Sequence, residues 1–361
     1  MKAVLLLVLL QAQNGPPAHD SIYALRVDPA AHPGQDYVLL LEDATARLET
    51  DGRSAYTLRQ VAQVLTADGA ESWGELALWY VPQRQRMHIN WIRVIGPDGT
   101  VLRDGAEHEE ETSPTVDQGA PVYSERRAIQ ATLGGVTPGT LVDYSYTLET
   151  VRPHLPGDFR YYWALNGDNP VRRSRFTLDV PADLRVPVRE HNLGFSADER
   201  VVAGRRVRTW AAAELAAVKW ESYSGSPNTV MKAIVVGGTL SWADVASWYG
   251  LLLVNRDAVT PEILTAHATQ LKGAKTLDDS LRATYRWVAQ EFRYVSLSLG
   301  DGGYQPRLPA EVFRTRFGDC KDKTMLFVSL LRHMGVRAYP VLVNSDGPVD
   351  SLSPGSSSST T

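Results

Sequence analysis

A single cysteine, Cys320, sits in the run Arg316-Phe317-Gly318-Asp319-Cys320-Lys321-Asp322-Lys323. An apolar stretch from Thr324 to Met334 follows at once, closed by Gly335. That order places the thiol on the first turn of a buried helix. Asp319 is a good N-cap, Asp322 stands in the capping-box position three residues on, and Gly335 suits the site just past the helix end. Unpaired backbone N–H groups and the positive end of the helix dipole favour thiolate, and thiolate is the nucleophile. Cysteine is also a small hydrophobe that is often simply buried. The flanking Asp-Cys-Lys-Asp-Lys charges argue for a helix start that meets solvent or a cleft.

Other residues capable of chemistry are less well placed. Of the histidines, His19, His32, His88, His108, His154, His191 and His267 all precede the cysteine and none lies in a motif. His333 is thirteen residues along the same helix, roughly 20 Å from Cys320 at ~1.5 Å per residue, out of reach as a base. The acidic run Glu107-His108-Glu109-Glu110-Glu111 lacks fixed ligand spacing and precedes Thr112-Ser113-Pro114, so it reads as a solvated loop and not as a metal site. Asp319, Asp322 and Asp301 do not require a metal either, since capping accounts for the first two. Gly300-Asp301-Gly302-Gly303 has neither the P-loop lysine nor the dinucleotide spacing, and reads as a turn on the rim of a cleft. No cofactor or metal is expected. Trp242, Trp248 and Tyr249, at helical spacing, read as interdomain core.

The elements that must position these residues fall into two groups. At 361 residues the chain suggests two domains. From Asp36 to Thr209 strand follows strand, cut by Asp51-Gly52, Asp68-Gly69, Pro97-Asp98-Gly99 and Thr137-Pro138-Gly139. Clear alternation, as in Ala55 to Thr66, argues for an antiparallel sandwich or barrel. After Trp220 the character changes. Tyr223 to Asn228 is a Ser/Gly/Pro linker, and helices then dominate. Ser241 can cap one through Leu253. Thr260-Pro261-Glu262 opens another to about Lys272, and Thr276 or Asp278 a third through Phe292. The third shows Leu281, Tyr285, Val288 and Phe292 on one face. Arg293 to Leu299 reads as extended, and Val336 to Asn344 as a buried strand.

The two ends read differently from the middle. Met1-Lys2, eight apolar residues from Ala3 to Leu10, then Gln11 to Pro17 resemble a secretory signal peptide over 1–14. The run is short of the ~20 residues that span a bilayer. From Ser345 to Thr361, fifteen of seventeen residues are Ser, Thr, Gly, Pro or Asp, a composition expected to be disordered. Composition is otherwise that of a globular protein, 43% hydrophobic and 22% charged with net charge −4. Arg172-Arg173 and Arg205-Arg206 are short and read as solvated strand faces, so no nucleic-acid partner is expected.

Phe292-Arg293-Tyr294-Val295, Gly303-Tyr304-Gln305-Pro306, Gly318 to Lys323 and Leu330 to Ala338 together resemble the transglutaminase-like superfamily. More narrowly, the chain is similar to bacterial envelope members that carry a β-rich N-terminal domain of unknown function. The resemblance implies a fold of class α+β: an N-terminal antiparallel β-sandwich (36–220), a linker with a helix (221–259), then a papain-like core (260–344). It implies that Cys320 is the nucleophile, attacking a carboxamide or peptide bond to form a thioester that an amine or water then takes. The Cys320 backbone N–H would be one oxyanion donor, and Tyr304 or Gln305, by position, another. The family's histidine and aspartate lie on later strands, and no histidine follows His333. The expectation is therefore a core that stops after one strand of its sheet, with impaired acyl transfer. The competing expectation is a non-catalytic envelope module that binds or scaffolds, with a vestigial cysteine domain. Either way the partner is a protein, a peptide or a component of the cell envelope, and the location periplasmic or extracellular.

Overall fold

A computed structural model of the chain describes residues 20–113, 122–153, 155, 157–221, 230–298 and 300–343. The signal peptide and the Ser-rich tail expected from the sequence lie outside the described residues. Alternating apolar residues build the first part as a succession of strands. These are β1 (Tyr37–Leu48), β2 (Ser54–Val64), then a short helix α1 (Ala67–Trp73), β3 (Glu75–Tyr80), β4 (Gln85–Ile95) and β5 (Val101–Asp104). They continue with β6 (His108–Thr112), β7 (Val122–Ser124), β8 (Arg127–Thr132), β9 (Leu141–Thr150) and β10 (Tyr161–Ala164). The last are β11 (Val171–Pro181), β12 (Val188–His191), β13 (Asp198–Val202), β14 (Arg205–Leu215) and β15 (Ala233–Val236).

Eight of them form one sheet in the order β13-β14-β11-β1-β2-β9-β4-β5. Its pairings are antiparallel except that β1 and β11 run parallel. One face carries Ala44, Ala46, Leu48, Leu58, Phe176 and Trp210, which pack under the three-stranded sheet β10-β15-β12. The same face also carries Leu39, Ala62, Val94 and Val142, which pack under the sheet β3-β8-β6. The result is the expected sandwich, with one broad layer covered by two narrow ones. The other face is lined by ion pairs and threonines, and the 3-10 turn Ser21–Leu25 lies across one end of it.

Several readings of the sequence need correction here. The acidic run expected as a loop is strand β6, whose Glu109, Glu110 and Glu111 side chains stay exposed at a sheet edge. Asp68-Gly69, read as a turn, lies inside α1, because the Thr66 hydroxyl accepts the Gly69 N–H and starts a helix. The segment 221–259, read as a linker, contributes β15, which sits between β10 and β12 with all four residues buried.

The second part is mixed. Helices α2 (Trp242–Leu252), α3 (Pro261–Gln270) and α4 (Leu277–Glu291) begin at Ser241, Thr260 and Thr276, whose hydroxyls each accept an N–H of the first turn. Then come β16 (Arg293–Tyr294), β17 (Ser296–Ser298), a 3-10 turn at Gly300–Gly303, α5 (Pro309–Thr315), β18 (Phe317–Gly318) and α6 (Cys320–His333). Ile263, Trp287, Val288, Phe292, Val312, Leu326 and Leu330 form its core. The buried face of α4 is Thr284, Trp287 and Val288; Tyr285, expected inside, is 62% exposed and meets the Phe327 ring edge-on. Residues 336–343 form no strand, and Tyr339, Val341 and Val343 are more than 70% exposed. An extended segment needs a neighbouring strand to satisfy its backbone, and none among the described residues pairs with it.

Candidate active site

Cys320 is the first residue of α6 and is exposed. The capping box expected from the sequence is present: Asp322 N–H donates to Asp319 Oδ1 at 3.2 Å, and Asp319 N–H to Asp322 Oδ2 at 3.4 Å. Gly335, at φ 79°, takes the left-handed position just past the helix end. Both carboxylates are buried, so each needs a cation. Lys321 pairs with Asp319. Arg307 donates to Asp322 through both its backbone N–H and its Nε, each at 2.8 Å, and covers the Phe317 ring at 4.8 Å. Gly318 is required by the same contact, since a Cβ there would lie 2.7 Å from Asp322 Cβ. Lys323 ties the helix start to α4 by donating to the carbonyls of Ala289 and Phe292 at 3.0 and 2.8 Å. The thiol is thus mounted on a first turn fixed from three sides.

Two tyrosines face it. The parallel pairing of β16 with β18 sets Tyr294 opposite Gly318, two residues before the cysteine. This brings the Tyr294 hydroxyl into the electrostatic neighbourhood of Cys320. Burial first, then the neighbouring charges of Cys320 and Asp319, hold this phenol above its ordinary range. Tyr249 is the second. Burial and then the charge at Cys320 raise its hydroxyl in the same direction. It arrives on α2, which is held in place by two contacts: Trp248 meets the Tyr304 ring edge-on at 5.1 Å, and Gln305 Nε2 donates to the Leu252 carbonyl at 3.2 Å.

Of the residues singled out from the sequence, Cys320 stands at the centre of this arrangement. Tyr304 is buried against Trp248, and Gln305 holds the end of α2. Tyr294, Tyr249 and Arg307 were not singled out as site residues. A signal for Tyr294 was present, because it lies within the Phe292 to Val295 stretch. Arg307 carried none, since its partner is fifteen residues away in sequence.

The described histidines are engaged elsewhere. His267 Nε2 bonds the Thr284 hydroxyl at 2.7 Å and its ring stacks on Trp287; burial, then the charge of His333, lowers its basicity. His333 ends α6, while His88, His108 and His191 sit on β4, β6 and β12. Among the described residues no three His, Cys, Asp or Glu side chains gather as metal ligands. No helix among them is long and apolar enough to cross a membrane.

Residues 265–354 match the model of the transglutaminase-like superfamily, and residues 50–219 match a domain family of unknown function, DUF3857. The chain joins a DUF3857 domain to a transglutaminase-like domain. Cys320, Tyr294 and Arg307 all lie in the transglutaminase-like domain, and Tyr249 on the helix just before it. The solved structure of a provisionally assigned protease from Parabacteroides distasonis is similar over 84% of this chain, with 16% identity and a TM-score of 0.68. That likeness concerns the fold, and this chain spans 59% of that protein's length. An M1 zinc metallopeptidase from Deinococcus radiodurans overlaps 56% of this chain and 42% of its own, at 10% identity and a TM-score of 0.30. Aminopeptidase A from Legionella pneumophila overlaps 60% of this chain and 23% of its own, at 11% and 0.28. Neither of these two bears on the argument. No curated protein matches the chain.

Proposed function

We propose that the transglutaminase-like domain performs cysteine acyl transfer on a carboxamide or peptide bond of a protein or peptide. The observation that supports this most is the placement of Cys320, exposed as the first residue of a helix with a complete capping box and with Tyr294 beside it. Nucleophile and polarising donors therefore stand side by side, as attack on a carbonyl requires. The Cys320 sulfur adds to the carbonyl carbon. The C–N bond breaks, the nitrogen leaves as ammonia or an amine after taking a proton, and a thioester remains. Water or an amine then attacks the thioester, releasing the thiol. The Cys320 N–H and the neighbouring Tyr294 hydroxyl are the donors available to steady the oxyanion in both steps; Gln305 or Tyr304 could serve only after leaving α2. Such chemistry needs a base to take the thiol proton, and no described histidine contacts Cys320, so we expect slow turnover.

Iodoacetamide labelling of the full chain, followed by intact mass, tests the reading. At pH 7 Cys320 should react at least tenfold faster than free cysteine, and a glutamine-containing peptide should leave a covalent acyl adduct that Cys320→Ser lacks. Labelling no faster than free cysteine, with no adduct, would sink it. The absence of a histidine contact favours a second reading, a non-catalytic module of the cell envelope that binds protein or glycan. Under that reading Cys320→Ser retains every binding activity of the wild type. Both readings carry export to the periplasm or outside the cell, which fractionation of cells expressing the chain would test.

A further inference from the structure

Across the middle strands of the eight-stranded sheet, the covered face carries one polar row between two rows of core residues. Across β11, β1, β2 and β9 that row runs Ser174, Glu42, Gln60, Tyr144, each directly opposite the next. The row below it, Phe176, Ala44, Leu58 and Tyr146, belongs to the core under β10-β15-β12. The row above, Leu39, Ala62 and Val142, belongs to the core under β3-β8-β6. The polar row therefore marks the seam where one covering sheet ends and the other begins. Tyr146 packs against both cores.

Aromatic rings stand in this row at Tyr144 and two rows to either side of it, Tyr56 opposite Ala46 and Tyr37 opposite Val64. Tyr56 stacks on Tyr161 at 5.6 Å and Tyr144 on Tyr146 at 6.4 Å, while Trp73 closes the far end against Tyr37 at 5.3 Å. Glu42, Gln60, Tyr37, Tyr56, Tyr146 and Tyr161 are all partly exposed. Glu42 accepts one hydrogen bond, from Gln60 Nε2 at 2.7 Å, and Gln60 Oε1 in turn accepts the Tyr144 hydroxyl at 2.6 Å. Among the described residues no Lys or Arg pairs with this carboxylate. A carboxylate withdrawn from water normally has a cation beside it.

We propose that the seam is a binding cleft for an organic cation, a primary or quaternary ammonium group seated between the tyrosine rings with Glu42 as its counter-ion. Ring faces and an uncompensated carboxylate are complementary to such a group. A neutral ligand would leave the charge unanswered. Burial, opposed by the Gln60 hydrogen bond, lifts the empty Glu42 carboxyl to about 7. The groups that face it are Tyr37, Tyr56 and Tyr144, with Asp36 and Asp168 acting on Tyr37 from the end of the cleft. All three tyrosines are raised above their ordinary range, by burial first, and stay neutral below pH 9. Binding of a cation draws Glu42 into its ionised form, so affinity should rise about tenfold between pH 6 and pH 8.

Calorimetric titration of the full chain with n-butylammonium chloride at pH 6, 7 and 8 tests this, with n-butanol and butyrate as controls. The expected result is saturable binding of butylammonium with that pH trend, and at least tenfold weaker binding of both controls. Glu42→Gln, which retains an acceptor for the Gln60 amide, should weaken butylammonium at least tenfold. No binding by butylammonium, equal binding by butanol, or an unchanged Glu42→Gln affinity would each overturn the proposal. Should the variant not fold, the wild-type pH trend and the butanol control decide alone.

Discussion

Arg307 shows how much of the site depends on one side chain outside the motif. It compensates Asp322, which is 1% exposed in its side chain, and Asp322 in turn closes the capping box that seats Cys320. Removing one partner of a buried pair leaves an uncompensated charge, which costs more than the pair itself contributes. Arg307→Met keeps most of the volume over the Phe317 ring and removes the charge. It should lower the stability of the full chain by about 3 kcal/mol in urea denaturation and slow iodoacetamide labelling of Cys320 by loosening the helix start. Unchanged stability would mean that Lys321 and the capping N–H groups suffice without Arg307. Gly318 belongs to the same economy of space, because any larger residue would push Asp322 off the cap.

The helices show where a sequence is readable and where it is not. N-cap grammar is local, so Ser241, Thr260 and Asp319 announced starts that the structure places within a residue of the expected position, and of the two candidates Thr276 and Asp278 it takes Thr276. The face a helix buries is set by what packs on it. Thr284, not Tyr285, turns inward on α4 because His267 of α3 needs a hydrogen-bond partner there. Strand alternation was equally local and legible. The parallel partnership of β1 with β11 and the recruitment of β15 across the sandwich depend on contacts far apart in sequence, and no local signal encodes them. The same division holds at the site: Cys320 was visible in its own helix, while Tyr294 and Tyr249 converge on it only through β16–β18 pairing and the docking of α2. The α3–α4 contact also makes a pH prediction. His267 is less basic folded than unfolded, so below its ordinary 6.5 the unfolded chain binds more protons. Stability should therefore fall as pH drops from 6.5 towards 5. His267→Asn should remove that part of the slope in urea denaturation at pH 5 and pH 7. A slope unchanged by the substitution would assign it to other groups.

At the scale of the whole chain, the DUF3857 domain reaches into the neighbourhood of the cysteine through its backbone. β7, of the β-rich part, pairs in parallel with β17, matching Val122 to Ser296, Tyr123 to Leu297 and Ser124 to Ser298. β17 begins one residue after Val295, which itself follows Tyr294, and Val295 N–H donates to the Gly318 carbonyl at 3.2 Å. A continuous path of paired backbone therefore runs from β7 through β17 and β16 to β18 and Cys320. Small interfaces between domains permit relative motion unless something ties them, and this ladder is such a tie. Successive N–H groups of a strand point to opposite sides, so proline at both Tyr123 and Ser124 removes whichever donor faces β17. Calorimetric melting of the wild type should show one main transition. The Tyr123→Pro/Ser124→Pro variant should show two, the lower one belonging to the transglutaminase-like domain and several degrees below the original. Its Cys320 labelling rate should change as well, since Tyr294 is carried on the same strand path. A thermogram that superimposes on the wild type, with labelling unaltered, would mean that the two domains are mechanically independent and that β7 merely lies alongside.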